Sequence, residues 1–147
     1  MNIANWLYHT ALSSPSAPAL LTGTALHADY EQFARRVCAL ASHLQSALGV
    51  QSGDRVVLYM KNRVEYLELM YAVWWLGAVV VPVNHKLHSK EVAWIVNDAA
   101  ARLLCSDDGD LCDQLDLEEP SQDLGVDTQA YRSAVGPDGE SIRRPAV

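Results

Sequence analysis

Few residues of this 147-residue chain stand at spacings that do chemistry. His85 and His88 form a His-x-x-His pair beside Asn84, which on one helical turn supplies half a metal site. The pair precedes a predicted helix and no third ligand is evident, so a solvated loop is its expected role. Cys105 with Asp107, Asp108 and Asp110 gathers a thiol and carboxylates at a strand end. The Asp-x-Asp spacing lacks the closing Glu of a calcium loop, and a solvated loop is again expected. Lys61 and Arg63 follow a strand, where open α/β sheets bind ligands. Phosphate contact is the chemistry they offer, and surface solvation is the expected state. Trp74-Trp75 has the bulk to line an apolar tunnel, but tryptophans on a helix against a sheet belong to core and flank. The eight glycines never cluster, and neither Gly-x-x-x-x-Gly-Lys nor Gly-x-Gly-x-x-Gly occurs. No catalytic or metal-binding residue is assigned from these patterns, and cofactor-binding residues stay open.

The elements that must position these residues are clearer. Ile3, Trp6, Leu7 and Ala11 predict a short amphipathic helix over Ile3 to Leu12, with Asn2 at its start. Ala19-Leu20-Leu21, a turn at Gly23, and Ala25 to Ala28 predict a hairpin. Asp29 and Gln32 form a capping pair ahead of Phe33, Val37, Leu40, Leu44 and Leu48, which make one apolar stripe of a helix ended by Gly49. Val56 to Met60 is a continuous apolar run, the pattern of a strand covered on both faces. Asn62 and Glu65 predict a second capping pair, for a helix that Gly77 ends. Ala78 to Val81 reads as another buried strand closed by Pro82. Ser89 is the expected cap of a helix through about Ala101, and Leu103-Leu104-Cys105 gives a third parallel strand. The class is α/β: a partial doubly wound, mostly parallel sheet with helices on both faces. Past Asp107 the pattern weakens. A short helix over Leu111 to Leu117, a strand over Thr128 to Val135 and mobility from Gly136 to Val147 are the expectations there.

Charge divides the chain at the same place. Up to Ser106 there are seven acids against eight bases, and from Asp107 onward eleven against three. We therefore read residues 1–106 as the α/β part and residues 107–147 as an acidic, weakly structured continuation. Neither has a basic stripe, which argues against nucleic acid and anionic membranes as partners. The apolar stretch from Met70 to Val83 is too short to span a bilayer. Three cysteines without Cys-x-x-Cys fit a reducing cytoplasm better than a disulfide framework.

The segment Gly53-Asp54-Arg55-Val56, then Asn62 with Glu65, then Gly77-Ala78-Val79-Val80-Val81-Pro82-Val83-Asn84, then Ser89-Lys90-Glu91-Val92, resembles the N-terminal subdomain of the adenylate-forming superfamily. Acyl-CoA synthetases, luciferase-like enzymes and peptide-synthetase adenylation domains belong there. The resemblance covers roughly Asn2 to Ser106. Asp29-Tyr30 stands where the family usually writes Thr-Tyr. The quoted residues are punctuation for turns and strand ends, and scaffold roles are expected for all of them.

What the resemblance implies is a parent enzyme joining a carboxylic acid to ATP with magnesium, releasing pyrophosphate, and passing the acyl group to coenzyme A. A fatty or related hydrophobic acid is the implied substrate. The family's Ser/Thr/Gly-rich phosphate loop would begin shortly after the position of Val147, so the chain is expected to be an N-terminal piece that is inactive alone. The alternative is a stand-alone, non-catalytic binding module, and a partial sheet with an uncovered apolar edge argues against it.

Overall fold

A computed structural model describes residues 1–136 and 139–147. Helix α1 (Ala4–Ser13) leads into the strands β1 (Pro18–Thr22) and β2 (Ala25–Asp29), which form an antiparallel hairpin. Helix α2 (Tyr30–Ser46) follows. Then come β3 (Arg55–Tyr59), α3 (Val64–Trp75), β4 (Val79–Val83), α4 (Ser89–Ala99), β5 (Leu103–Ser106), α5 (Leu111–Gln114), β6 (Gln122–Gly125) and α6 (Gln129–Val135). The four strands β3 to β6 form one sheet in the order β4-β3-β5-β6, every pair parallel.

Apolar residues without alternation need cover on both faces, and the sheet has it. Val56, Leu58, Leu103, Cys105 and Leu124 face a core shared with α1, α2, α3 and α6. Val57, Val83 and Leu104 face the opposite way, onto Val92, Ala93 and Val96 of α4 and Leu111 of α5. Helix α2 starts as the capping pair predicts: Asp29 Oδ1 accepts from the Gln32 amide at 2.8 Å, and Gln32 Oε1 accepts from the Asp29 amide at 3.0 Å.

The motif residues do structural work. Asp54 Oδ2 accepts from the Gln51 amide at 2.9 Å and closes the turn into β3. Arg55 reaches across to the far end of α4, where Nε donates to the Ala99 carbonyl at 2.7 Å and Nη2 to that of Ala100 at 3.0 Å. A cation there satisfies orphan carbonyls and opposes the negative end of the helix dipole. Gly77 has φ +73°, and a Cβ added to it would lie 2.8 Å from Ser52 Oγ.

Six local expectations change. Strand β4 is the sheet's edge rather than buried within it, and Val79 is 46 % exposed. The Val79 amide donates inward to Asp54 at 2.8 Å, so alternation turns the backbone of Val80 and Pro82 outward. Pro82 thus stands within the strand, at a position where its missing N–H costs the ladder nothing. Helix α4 is capped by His88 rather than Ser89, and α3 begins after Arg63 with no side-chain cap, because Glu65 pairs with Arg63 instead of completing a box with Asn62. Residues Thr128 to Val135 hold a capped helix, not a strand. Thr128 Oγ1 accepts from the Tyr131 amide, and the strand of this region lies earlier, at β6. The short helix predicted to Leu117 ends at Gln114. The expected mobility from Gly136 onward includes residues 137–138, which lie outside the described residues. Residues 139–147 lie against α2 and α3, with the Glu140 amide donating to Arg35 O at 3.1 Å and that of Ala146 to Trp75 O at 2.8 Å.

Candidate functional site

Open parallel sheets bind ligands at the carboxyl ends of their strands, where connections leave in opposite directions. Here β3 connects through α3 to β4 on one side, while β5 connects to β6 on the other. The crevice between the ends of β3 and β5 is therefore the topological switch point. It is filled by the chain itself. Arg63 Nη1 lies 3.1 Å from Asp107 Oδ1, and the Lys61 amide donates to Asp107 Oδ2 at 3.4 Å.

Arg63 does more than close that gap. Its Nε and Nη2 donate to both oxygens of Glu65, at 2.8 and 3.2 Å. Nη2 and Nη1 also donate to the two oxygens of Asp127, at 2.9 and 3.1 Å. One guanidinium thus joins the start of α3 to the ends of β5 and β6. Hydrogen bonding to Arg63 holds the Asp127 carboxyl below the usual range. Burial pushes Glu65 the other way, but the Arg63 hydrogen bond and charge outweigh it and keep Glu65 low as well. The expectation of a solvated Arg63 and Asp107 is corrected: both are spent on this clamp. Lys61 is exposed.

Beneath the clamp lies a second polar cluster, which the sequence did not single out. Glu68 on α3 is fully buried. Its Oε1 accepts from Arg36 Nε of α2 and its Oε2 from the Tyr131 hydroxyl of α6, each at 2.5 Å. Burial, then the neighbouring Glu68 charge, pushes the Tyr131 hydroxyl strongly upward, so it stays a donor. The available signal was an acid set between Leu67 and Leu69 in an apolar helix, with Arg36 a helix away.

The adjacent mouth, between the ends of β3 and β4, is open. A cavity of about 450 Å³ is lined there by Asn62, Tyr66, Asn84, His85 and Lys86, among others. Tyr59 Oη donates to the Leu87 carbonyl at 3.0 Å and steadies the loop that carries His85 and Lys86. His88 is withdrawn from this mouth: its Nδ1 accepts from the Lys90 amide at 3.3 Å, and its own amide donates to Glu91 at 3.0 Å. Among the described residues, no group of three or more His, Cys, Asp or Glu is placed to hold a metal ion. Trp75 is buried and Trp74 packs edge-on against Tyr71 at 5.2 Å, so the pair belongs to the helical core.

The thiols are poor nucleophiles. Burial raises Cys38, and it raises Cys105 strongly at the centre of the sheet. Burial and the Asp123 carboxylate push Cys112 up to about 12. Nucleophilic reactivity belongs to the thiolate, which such surroundings disfavour. Among the described residues, no helix is long and apolar enough to cross a membrane.

Comparison with known proteins bears on the family and the fold. A family model described as AMP-binding enzyme matches residues 7–143. The chain is 35% identical over 104 residues to 2-succinylbenzoate–CoA ligase of Geobacillus kaustophilus, covering 71% of this chain and 21% of that protein. It is 36% identical over 104 residues to long-chain-fatty-acid–CoA ligase FadD13 of Mycobacterium tuberculosis, covering 70% and 20%. The solved N-terminal domain of FACL13 from M. tuberculosis superposes with a TM-score of 0.82 at 29% identity, covering all of this chain and 38% of that one. The chain spans about a fifth of the length of these curated relatives.

Proposed function

The chain belongs to the AMP-binding enzyme family, and from that premise we propose that it is the N-terminal scaffold of an ATP-dependent, AMP-forming acid–thiol ligase of the acyl-CoA synthetase type. In that reaction a carboxylate oxygen attacks the α-phosphorus of ATP and pyrophosphate leaves. The thiol of CoA then attacks the acyl carbonyl and AMP leaves. A hydrophobic acid is our reading of the substrate, supported by relatives named for long-chain fatty acids and succinylbenzoate. A reducing cytoplasm is the compartment that goes with three free cysteines.

One observation carries the proposal: the parallel β3-α3-β4-α4-β5 core is in place, while Asp54 and Arg55 of the family-like segment close a turn and cap a helix end. Phosphoryl transfer needs charge-neutralising groups preorganised around the phosphates. The donor set here does not fit a magnesium–triphosphate site, because Glu65, Asp107 and Asp127 are bound to Arg63 and Glu68 to Arg36. We propose that the 147 residues have no ligase activity by themselves. What they offer a phosphate-bearing reactant is the open mouth at Lys86 and His85.

ATP–pyrophosphate exchange tests this. The isolated chain stays at background with every carboxylic acid tried, and turnover above background with any of them overturns the reading. One feature favours a second reading, a stand-alone binding module: Pro82 blunts the exposed edge of β4. Light scattering with thermal unfolding separates the two, since a lasting monomer that melts cooperatively supports the module and self-association supports the scaffold.

A further inference from the structure

We propose that the face built from α1, the β1-β2 hairpin and α3 docks against the same face of a second copy of this chain, about a two-fold axis. This surface is apolar where a solvated surface is normally charged. The first Asp, Glu, Lys or Arg in the sequence is Asp29. Ahead of it, Ile3, Trp6, Leu12, Leu21 and Leu26 are exposed, Trp6 by 67 %. Trp6 stands at the rim of a cavity of about 270 Å³, which buried Leu20 and Phe33 line together with Leu67 and Tyr71. Among the described residues no charged side chain lines it, whereas charged side chains line each of three larger cavities. Exposed apolar surface of this kind marks a contact site.

The charge distribution names the occupant. The chain carries a formal charge of −7, so two copies repel on most approaches. The acidic excess lies beyond Asp107, and the cavity and its rim carry none of it. Here identical copies meet without bringing like charges together. A two-fold contact puts the same residues on both sides, so each Trp6 enters the other copy's cavity. Aromatic anchors seated in apolar pockets supply most of the energy of such contacts. The other exposed tryptophan, Trp94 on α4, fits a second copy less well. It too is 67 % exposed, but Lys90 and Asp98 flank it one helical turn away on either side. The inference rests on the scaffold reading, which expects self-association, and names the surface that produces it.

Sedimentation equilibrium on the 147-residue chain tests it. The expected species is a closed dimer that tightens as salt rises, because screening relieves the repulsion between acidic segments while the contact itself holds no ion pair. Trp6→Lys weakens the dimer by about a hundredfold or more, since a two-fold contact loses its anchor on both sides. Trp94→Lys, at an equally exposed position, changes it by less than about twofold. Far-UV dichroism stays unchanged in both variants, as neither side chain is buried in the single chain. A monomer at every concentration overturns the proposal, whether or not it binds phosphatidylcholine vesicles. A dimer that survives Trp6→Lys overturns it too and leaves the scaffold reading standing, which ATP–pyrophosphate exchange tests separately. Should Trp6→Lys fail to fold, Leu67→Gln decides: dissociation supports the pairing and an intact dimer refutes it.

Discussion

Between Val56 and Cys105 the chain buries Val56, Val57, Leu58, Leu103, Leu104 and Cys105 completely, in a lattice covered on both faces. Beyond Asp107 the buried apolar residues are fewer and scattered, at Leu111, Leu115, Leu124, Val126, Tyr131 and Val135. Leu124, Val126, Tyr131 and Val135 join the shared core, and charged and polar partners add to them: Asp107 and Asp127 to Arg63, Tyr131 to Glu68, and Glu140 to Ser42. Non-directional apolar burial gives the first region its strength. In the second, directional bonds add to a thinner share of the same core. An acidic composition is compatible with order when the opposing charge sits on the neighbouring region, as Arg63 does here for Asp107 and Asp127.

The largest effect that sharpens this contrast is a cavity in the first region. Leu58→Ala removes a fully buried side chain from a central strand and costs about 2–5 kcal/mol. Its urea midpoint falls with near-UV dichroism and far-UV dichroism moving together, because both regions rest on β3. A midpoint that stays within the wild-type range would break the comparison, since it would mean that burial in β3 does not carry the first region.

Acid is the next lever. Glu65 and Asp127 have carboxyl pKa values held below their unfolded ones, so the stability they contribute is whole above about pH 4 and is lost as pH falls through the lowered values. The amide resonances of Leu124 and Tyr131 should therefore broaden on acidification before those of Val57 and Leu104. In Arg63→Ala that pH-dependent step disappears, since the carboxyls no longer gain from being ionised. Simultaneous loss of all four resonances would remove the distinction.

Smallest is a matched pair of caps. Asp29→Ala and Thr128→Ala each remove a side-chain acceptor from a helix start and cost about 1 kcal/mol locally. The first lowers the thermal midpoint of the whole chain, because α2 packs on α1, α3 and the sheet. The second leaves that midpoint nearly unchanged and shows only in amide exchange at α6. Equal shifts in the midpoint would show the two regions melting as one.

Legibility followed the same division. The apolar runs at Val56 to Met60 and Leu103 to Cys105, and the stripe from Phe33 to Leu44, encode their elements by burial alone, which composition and period reveal. Strand β4 misled because three valines in a row read as doubly covered, whereas position at a sheet edge depends on strand order. The helix at Gln129–Val135 was hidden because Thr128 is as natural ahead of a strand as in a cap. Arg63 stands out as a strand-end cation, but nothing local marks it as a clamp: its partners lie 2, 44 and 64 residues away, and only the fold brings the last two to it. His88 as a cap was overlooked because Ser89 beside it is the commoner capping residue.

Pro82 carries a consequence for how molecules of this protein meet one another. A backbone laid alongside the exposed margin of β4 would find the amide of Val80 and then, two residues on, a ring nitrogen with nothing to donate. Sheets grow by adding strands rung by rung, and this ladder is missing a rung on its open side. Self-stacking into fibrils is thereby discouraged at the position where the apolar valines would otherwise invite it.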